Sequence, residues 1–224
     1  MTKLPNKAKV VIIGGGYLFR ESINYFNKLV ITLVDCEIEN GDIFYPEIDL
    51  RNWKLEKEDE VEDSFYKDED EFEIILPMMP LGWKANYEEW KIWFERHFEY
   101  LHDGVIMIGC SLGAMFLYKY YSENQLPFKT KELILMASPV PELLPAEEKD
   151  CGDFVYLMAD LNKLIKQSQH ITIMHSKDDF VVPYEHALKY KEVLPEAELV
   201  TFEDKNHFLV EELPELVERI RDLS

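Results

Sequence analysis

The sequence has few cysteines and no metal-binding pattern. Its three cysteines, Cys36, Cys110 and Cys151, lie far apart and form no C-x-x-C pair, so a zinc site is not expected. The six histidines are scattered, and no H-E-x-x-H pattern occurs. We therefore expect reduced thiols in a cytosolic compartment and no bound metal.

Basic residues and long apolar runs are also scarce. The chain has 24 basic residues against 44 acidic ones, which gives a formal charge of −20. A surface of that sign repels a phosphate backbone or an anionic membrane. The start of the chain has one apolar run of about six residues, too short for a secretion signal or a membrane span. We expect a cytoplasmic protein with no export signal, no nucleic-acid partner and no membrane association.

Short β-branched runs alternate with amphipathic stretches along the 224 residues. That alternation predicts an α/β protein, a three-layer sandwich around a mainly parallel sheet. Runs such as VIMIG and ELILMA have no polar face, as expected for strands covered by helices on both sides. Strands are predicted at residues 9–13, 29–34, 72–76, 105–109, 132–137, 171–175 and 198–203, and helices at residues 87–101, 112–120, 154–167, 184–193 and 211–222.

Carboxylates crowd residues 56–73. Side chains of like charge at this density repel one another and cannot be buried unpaired. The segment is therefore predicted to be a solvated loop. A calcium site is the functional alternative, although the EF-hand order of ligands around a central glycine is absent.

The strongest functional signal is the G-x-S-x-G pentapeptide at residues 109–113, which follows an apolar run and precedes a helical pattern. A serine on a sharp strand-to-helix turn has a strained backbone, and only small neighbours such as Gly109 and Gly113 fit beside it. Such a turn presents the Ser111 hydroxyl as a nucleophile at the carboxyl end of the sheet. The Leu112 amide would then face a developing oxyanion. A structural turn with a buried serine is the alternative.

A nucleophilic serine needs a base, and the base needs an orienting carboxylate. Enzymes with this turn carry them in the order Ser, Asp, His on loops after later strands. Asp179 is favoured as the acid because it stands in a D-x-x-V-P register, which leaves Asp178 as a turn or capping residue. An ordinary loop is the alternative for this pair. His207 is favoured as the base, because His175 ends a predicted strand and His186 lies in a predicted helix.

The glycine loop 14–16, after the first predicted strand, is the candidate for a second oxyanion donor. Glycines let a backbone approach a substrate closely, and Gly16 is favoured for the donating amide. A dinucleotide-binding G-x-G-x-x-G would need a further glycine near Arg20, which is absent. No cofactor is expected.

Five segments of the later chain read ILPMMP, ANYEEWKIWFE, VIMIGCSLGA, ITIMHSKDDFVVPYEHA and FEDKNHF. With these, residues 72 to 224 resemble small serine hydrolases of the retinoblastoma-binding-protein-nine and YdeN type, within the α/β-hydrolase superfamily. The resemblance implies cleavage of a small-molecule ester or amide by a triad of Ser111, Asp179 and His207. The family's turn usually reads G-H-S-L-G-G, and here Cys110 and Ala114 replace the His and the final Gly.

The opening segment carries other motifs, namely VVIIGGGYLF, NKLVITLVDCEIE, GDIFYPEID, Trp53 and FEIIL. These occur in the order and spacing of the C-terminal half of dihydrofolate reductase, which residues 1–76 resemble. Reductase activity does not follow, because the half that carries the folate-binding acid is missing. We expect a mosaic in which this strand-helix-strand fragment takes the place of the opening strands of a hydrolase core, residues 77–224, within one α/β domain over residues 1–224. A binding protein with a degenerate triad and a nucleotide-binding reductase relic are the alternative functions.

Overall fold

A computed structural model describes residues 8–13, 28–31, 54–58, 63–66, 72–77, 79, 86–144, 152–154, 161–210 and 212–223. The strands in these ranges are β1 (Ala8–Ile13), β2 (Lys28–Ile31), β3 (Lys54–Glu58), β4 (Asp63–Tyr66), β5 (Phe72–Ile75), β6 (Ile106–Cys110), β7 (Thr130–Met136), β8 (Ser168–Ser176) and β9 (Glu198–Phe202). The helices are α1 (Tyr87–Arg96), α2 (Leu112–Glu123), α3 (Asn162–Gln167), α4 (Glu185–Val193) and α5 (Pro214–Leu223).

Six strands form one sheet in the order β5-β1-β6-β7-β8-β9, and every neighbouring pair in it is parallel. The predicted α/β class with a mainly parallel sheet is confirmed. Parallel strands all end at the same edge of a sheet, so the loops after β6, β8 and β9 leave from one edge. The residues of the predicted triad, Ser111, Asp179 and His207, belong to these loops.

Alternate side chains of the strands supply apolar cores on opposite faces of this sheet. Val11 and Ile13 belong to a core that contains buried side chains of α1, α2, α3 and α4. Val10 and Ile12 belong to a second core, against which α5 packs. The three layers follow, because strands with apolar residues on both faces need cover on both sides. Each large side chain buried in this way stabilises the fold by roughly 1.5–3 kcal/mol.

The remaining strands form a separate antiparallel sheet in the order β2-β4-β3. The strand predicted at residues 29–34 lies here as β2 and not in the parallel sheet. The prediction of a loop over residues 56–73 is also wrong, because residues 56–58 lie in β3 and residues 63–66 make up β4. Strand pairing uses backbone groups, so a high density of carboxylates does not by itself prevent it.

One predicted helix, at residues 154–167, differs from the structure. A short 3₁₀ turn, Gly152–Phe154, is followed after a gap by α3, which begins at Asn162. Residues 155–160 lie outside the described residues. The other four predicted helices are present with small shifts of their ends, and none of the helices described is long and apolar enough to span a bilayer.

Gly109 in β6 lies against the first turn of α2, and this contact leads to a stability prediction. A Cβ atom at residue 109 would lie 2.7 Å from the Cα and N of Ala114 and from the carbonyl oxygen of Gly113. Because these are backbone atoms that cannot swing aside, we expect Gly109→Ala to lower the free energy of unfolding by about 3 kcal/mol.

Gly104→Ala is the matched control in chemical denaturation. A Cβ atom at residue 104 would meet nothing within 4 Å, although the backbone has a φ of +91°. This substitution should therefore cost only the backbone strain, about 1 kcal/mol. Equal losses in the two variants would contradict the close contact at Gly109.

Candidate active site

Ser111 occupies the turn between β6 and α2. Its φ of 55° and ψ of −121° are unusual for a residue with a side chain and cost free energy. The turn is fixed by a backbone bond, since the Ser111 amide donates to the carbonyl oxygen of Met136 in β7 at 2.9 Å. Serine is a favoured N-cap residue, yet the Ser111 side chain makes no capping bond to α2. Its hydroxyl is not used to start the helix.

Cys110 immediately precedes this serine, and the residue is only 3% exposed. Burial, with a smaller effect from the charge of Asp179, raises the pKa of the Cys110 thiol to about 12. The thiolate is the reactive form of cysteine, so at neutral pH Cys110 is a poor nucleophile.

Asp179 and His207 come together at the carboxyl edge of the sheet. Asp179 follows β8 and His207 follows β9, and the Nδ1 atom of His207 lies 2.8 Å from Oδ2 of Asp179. The Asp179 carboxylate is fully buried, whereas the His207 side chain is 12% exposed. A carboxylate at Nδ1 keeps the proton there, which leaves Nε2 of the neutral ring as a proton acceptor.

The ionised state of Asp179 is held by hydrogen bonds. Burial alone would raise the pKa of its carboxyl group. The bond from His207 and those from the Val181 and Val182 amides, each 2.8 Å from Oδ1, outweigh burial and leave the pKa below its ordinary value. Asp179 is therefore a carboxylate at neutral pH.

Two further histidines lie near Asp179 but are buried within regular secondary-structure elements. His175, in β8, places Nε2 2.7 Å from the carbonyl oxygen of Val182 and 3.4 Å from Oδ2 of Asp179. His186, in α4, accepts a bond from the Val140 amide at Nδ1, at 2.7 Å. Burial is the largest cause of a lowered pKa in both rings, which are therefore neutral parts of the packing.

Of the two predicted oxyanion donors, Leu112 lies within the described residues and Gly16 does not. Leu112 is the first residue of α2 and directly follows Ser111, so its amide belongs to the N-terminus of that helix, next to the Ser111 turn. Gly16 and the rest of the glycine loop lie outside the described residues. The strand before that loop ends at Ile13, which pairs with Gly109 in the neighbouring strand.

Backbone strain within the described residues is concentrated at this edge of the sheet. Ser111, Ala137, Asn206 and Phe208 have φ values of 55°, 44°, 54° and 53° and are the non-glycine residues with positive φ there. They follow β6, β7 and β9. Residues held in such conformations cluster at functional sites.

Sequence reasoning missed one set of contacts at the site. Asp178, expected to be a turn or capping residue, has an Oδ1 atom that accepts from the Ser176 hydroxyl at 2.5 Å and from the Asn206 amide at 2.8 Å. It therefore links two loops that are 28 residues apart in sequence. The only sign of this role in the sequence is the pair of adjacent aspartates in SKDD. That pair does not indicate that Asp178 contacts the loop after β9.

Hydrolases are similar to this chain over more than half of its length. YdeN of Bacillus subtilis (strain 168), a candidate hydrolase, is 26% identical over 137 residues, which cover 60% of this chain and 69% of YdeN. The crystal structure of the ydeN product matches with a TM-score of 0.59 at 20% identity, over 68% of this chain and 82% of that one. MGS-MChE2, an α/β hydrolase from a lagoon-sediment metagenome of Mar Chica, Morocco, matches with a TM-score of 0.52 at 17% identity, over 97% and 90% of the two chains. The fold is that of an α/β hydrolase.

The opening segment has a different relative. The family model for dihydrofolate reductase matches residues 1–75. The dihydrofolate reductase of Haemophilus influenzae (strain ATCC 51907 / DSM 11121 / KW20 / Rd) is 33% identical over 48 residues, which are 21% of this chain and 29% of that enzyme. The predicted mosaic of two resemblances is confirmed. The similarity to YdeN supports hydrolase activity, whereas reductase activity does not follow from a match to less than a third of a reductase.

The buried neutral His186 leads to a prediction about stability and pH. Its pKa in the folded chain is below 6.5, so as the pH falls through that value the unfolded chain takes up a proton that the folded chain does not. The stability that neutral His186 gives to the folded chain is therefore present above that pH and is lost below it. Lowering the pH from about 8 to about 5.5 should therefore cost wild type more unfolding free energy than His186→Gln, whose side chain does not titrate. Equal losses in denaturant melts at the two pH values would contradict this account.

Proposed function

We propose that this protein is a serine hydrolase that cleaves a small-molecule ester or amide through an acyl-enzyme intermediate. Ser111 is the nucleophile, His207 the general base and Asp179 the acid that orients it. The observation that carries the proposal is the 2.8 Å bond between His207 and Asp179, at the sheet edge where the strained Ser111 turn ends β6. The similarity to YdeN supports the hydrolytic class.

The chemistry follows from the positions of protons on these three side chains. Nε2 of His207 takes the hydroxyl proton as Ser111 Oγ bonds to the substrate carbonyl carbon. The imidazolium then returns that proton to the leaving alcohol or amine, and the acyl group stays on Oγ. The same ring then takes a proton from a water molecule, whose oxygen bonds to the acyl carbon. The bond between that carbon and Oγ breaks, the imidazolium returns the proton to Oγ, and the carboxylic acid leaves. Asp179 keeps its negative charge throughout and stabilises the imidazolium, so no cofactor is needed.

The tetrahedral intermediate places a negative charge on the former carbonyl oxygen. We assign the Leu112 amide as one donor, because it stands at the N-terminus of α2 where the helix dipole also favours an anion. The Gly16 amide is our candidate for the second. Each such donor lowers the barrier by about 3 kcal/mol in enzymes of this kind.

Replacement of the nucleophile tests the proposal. Ser111→Ala should abolish hydrolysis of p-nitrophenyl acetate, a loss of about 10⁴-fold or more, and should abolish labelling by a fluorophosphonate, which bonds only to an activated serine. Turnover and labelling are measured on variants whose melting temperatures match that of wild type.

Two controls separate Ser111 from its neighbours. Cys110→Ala should keep its label, because the buried thiol is protonated. Ser122→Ala should also keep it, since that hydroxyl bonds to the Tyr118 carbonyl oxygen within α2. Wild type that neither turns over esters nor reacts with the phosphonate would instead indicate a binding protein with a degenerate triad.

A second candidate function, a nucleotide-binding reductase relic, is favoured by the match of residues 1–75 to dihydrofolate reductase. We expect NADPH to leave the melting temperature unchanged, because a fragment of the reductase leaves too few contacts to offset the loss of ligand freedom. Thermal denaturation over a range of NADPH concentrations, with ATP as a control, measures this. A saturable rise specific to NADPH would support the relic.

A further inference from the structure

Besides the exposed pair Lys177 and Glu203, three hydrogen bonds connect Ser176 and the acid loop that follows it, residues 177–183, to the base loop, residues 203–208. The Lys205 amide donates to Ser176 Oγ at 2.9 Å, and the Asn206 amide donates to Asp178 Oδ1 at 2.8 Å. The third is the bond between His207 and Asp179. Successive residues of the base loop are thus bonded to side chains at or just beyond the end of β8. The proposed mechanism uses only the third bond.

The first two bonds depend on one pair of side chains. Ser176 is the last residue of β8 and is fully buried, and its hydroxyl donates to Oδ1 of Asp178 at 2.5 Å. The hydroxyl proton therefore points to the carboxylate, and an oxygen lone pair is left to accept from Lys205. The same carboxylate oxygen accepts from Asn206. We call this pair the Ser176–Asp178 bridge.

The base loop needs such support because its backbone is strained. Asn206 and Phe208, on either side of His207, have φ values of 54° and 53°, which are costly for a residue such as Phe. Phe208, which follows His207, is held by burial and by an edge-on contact with Phe202, with ring centroids 5.5 Å apart. Asn206, which precedes His207, is held by the bond to Asp178, and its own Oδ1 accepts from the His207 amide at 2.9 Å.

We propose that Ser176 and Asp178 are positioning residues, which hold the base loop in the conformation that brings the His207 ring into contact with Asp179. The proposal rests on the proposed hydrolase function. Asp178 acts through the Asn206 amide and not through its charge. What matters at residue 178 is an acceptor oxygen, whereas what matters at residue 179 is a carboxylate at Nδ1 of the ring.

Substitutions at the two aspartates separate these roles. Asp178→Ala removes the two bonds that Asp178 Oδ1 accepts, from Ser176 and from Asn206. It should lower kcat about 10- to 100-fold with little change in KM, because the cause is a displaced ring and not a lost substrate contact. Asp178→Asn keeps an acceptor oxygen and should restore kcat to within about threefold of wild type. Asp179→Asn, with the wrong hydrogen-bonding partner for Nδ1, should lose about 10⁴-fold.

Matched controls come from another contact between the same loops. Lys177 and Glu203 form an ion pair at 2.5 Å, but both side chains are largely exposed. Exposed pairs contribute little, so Lys177→Ala and Glu203→Ala should leave kcat within about twofold of wild type. Ser176→Ala, which removes only the serine from the bridge, should lie between the controls and Asp178→Ala. It also provides a second test if Asp178→Ala lowers the melting temperature.

A readout that does not depend on turnover is the low-field proton resonance of His207 Nδ1–H, assigned by its loss in His207→Gln. We expect this resonance in wild type and in Asp178→Asn, and we expect its loss through exchange with water in Asp178→Ala. If Asp178→Ala keeps the resonance and kcat, or if Asp178→Asn is as impaired as Asp178→Ala, the positioning role is wrong even where Ser111 is labelled. If wild type is not labelled but the resonance follows this order, the bridge stands and the hydrolase function fails.

Discussion

The rest of the site depends on the close approach of β6 to the start of α2. Gly109 lies so near the backbone of Gly113 and Ala114 that no side chain fits at residue 109. Between this strand and the helix, Ser111 has a positive φ, and α2 begins at the next residue. The position of the serine is thus a consequence of backbone packing, and the parallel sheet then determines which other loops it can meet.

The second requirement of the site is that the buried carboxyl group of Asp179 stays ionised. Asp179 is removed from water in a chain that already carries a formal charge of −20, and both facts favour its protonated form. Hydrogen bonds from His207, Val181 and Val182 reverse that preference. The bond from His207 and, after it, the two backbone amides thus maintain the charge of Asp179. The Ser176–Asp178 bridge keeps the base loop within reach of it.

The parts of the fold that could be predicted from the sequence are those set by local patterns. Strand β6 and residues 133–136 of β7 are apolar on both faces, and the small residues of the 109–113 turn are recognisable without any tertiary contact. The antiparallel sheet could not be predicted in this way, because the carboxylates of residues 56–73 indicate charge repulsion, whereas strand pairing uses backbone groups that a side-chain pattern does not show. The role of Asp178 was missed for a related reason, since its partner Asn206 is 28 residues away and only the alignment of β8 with β9 brings them together.

The mosaic origin of the chain is compatible with the site because of where the two segments meet. The reductase-like segment contributes β1 and β5 to the large sheet, and β1 pairs in parallel with β6. A strand in that position needs only to be short and apolar on both faces. Residues 10–13 of β1 meet this requirement and are fully buried or nearly so. Ser111, Asp179 and His207 all follow strands of the hydrolase-like segment. A foreign opening segment can therefore complete the sheet while the loops that carry the proposed chemistry keep their own supports.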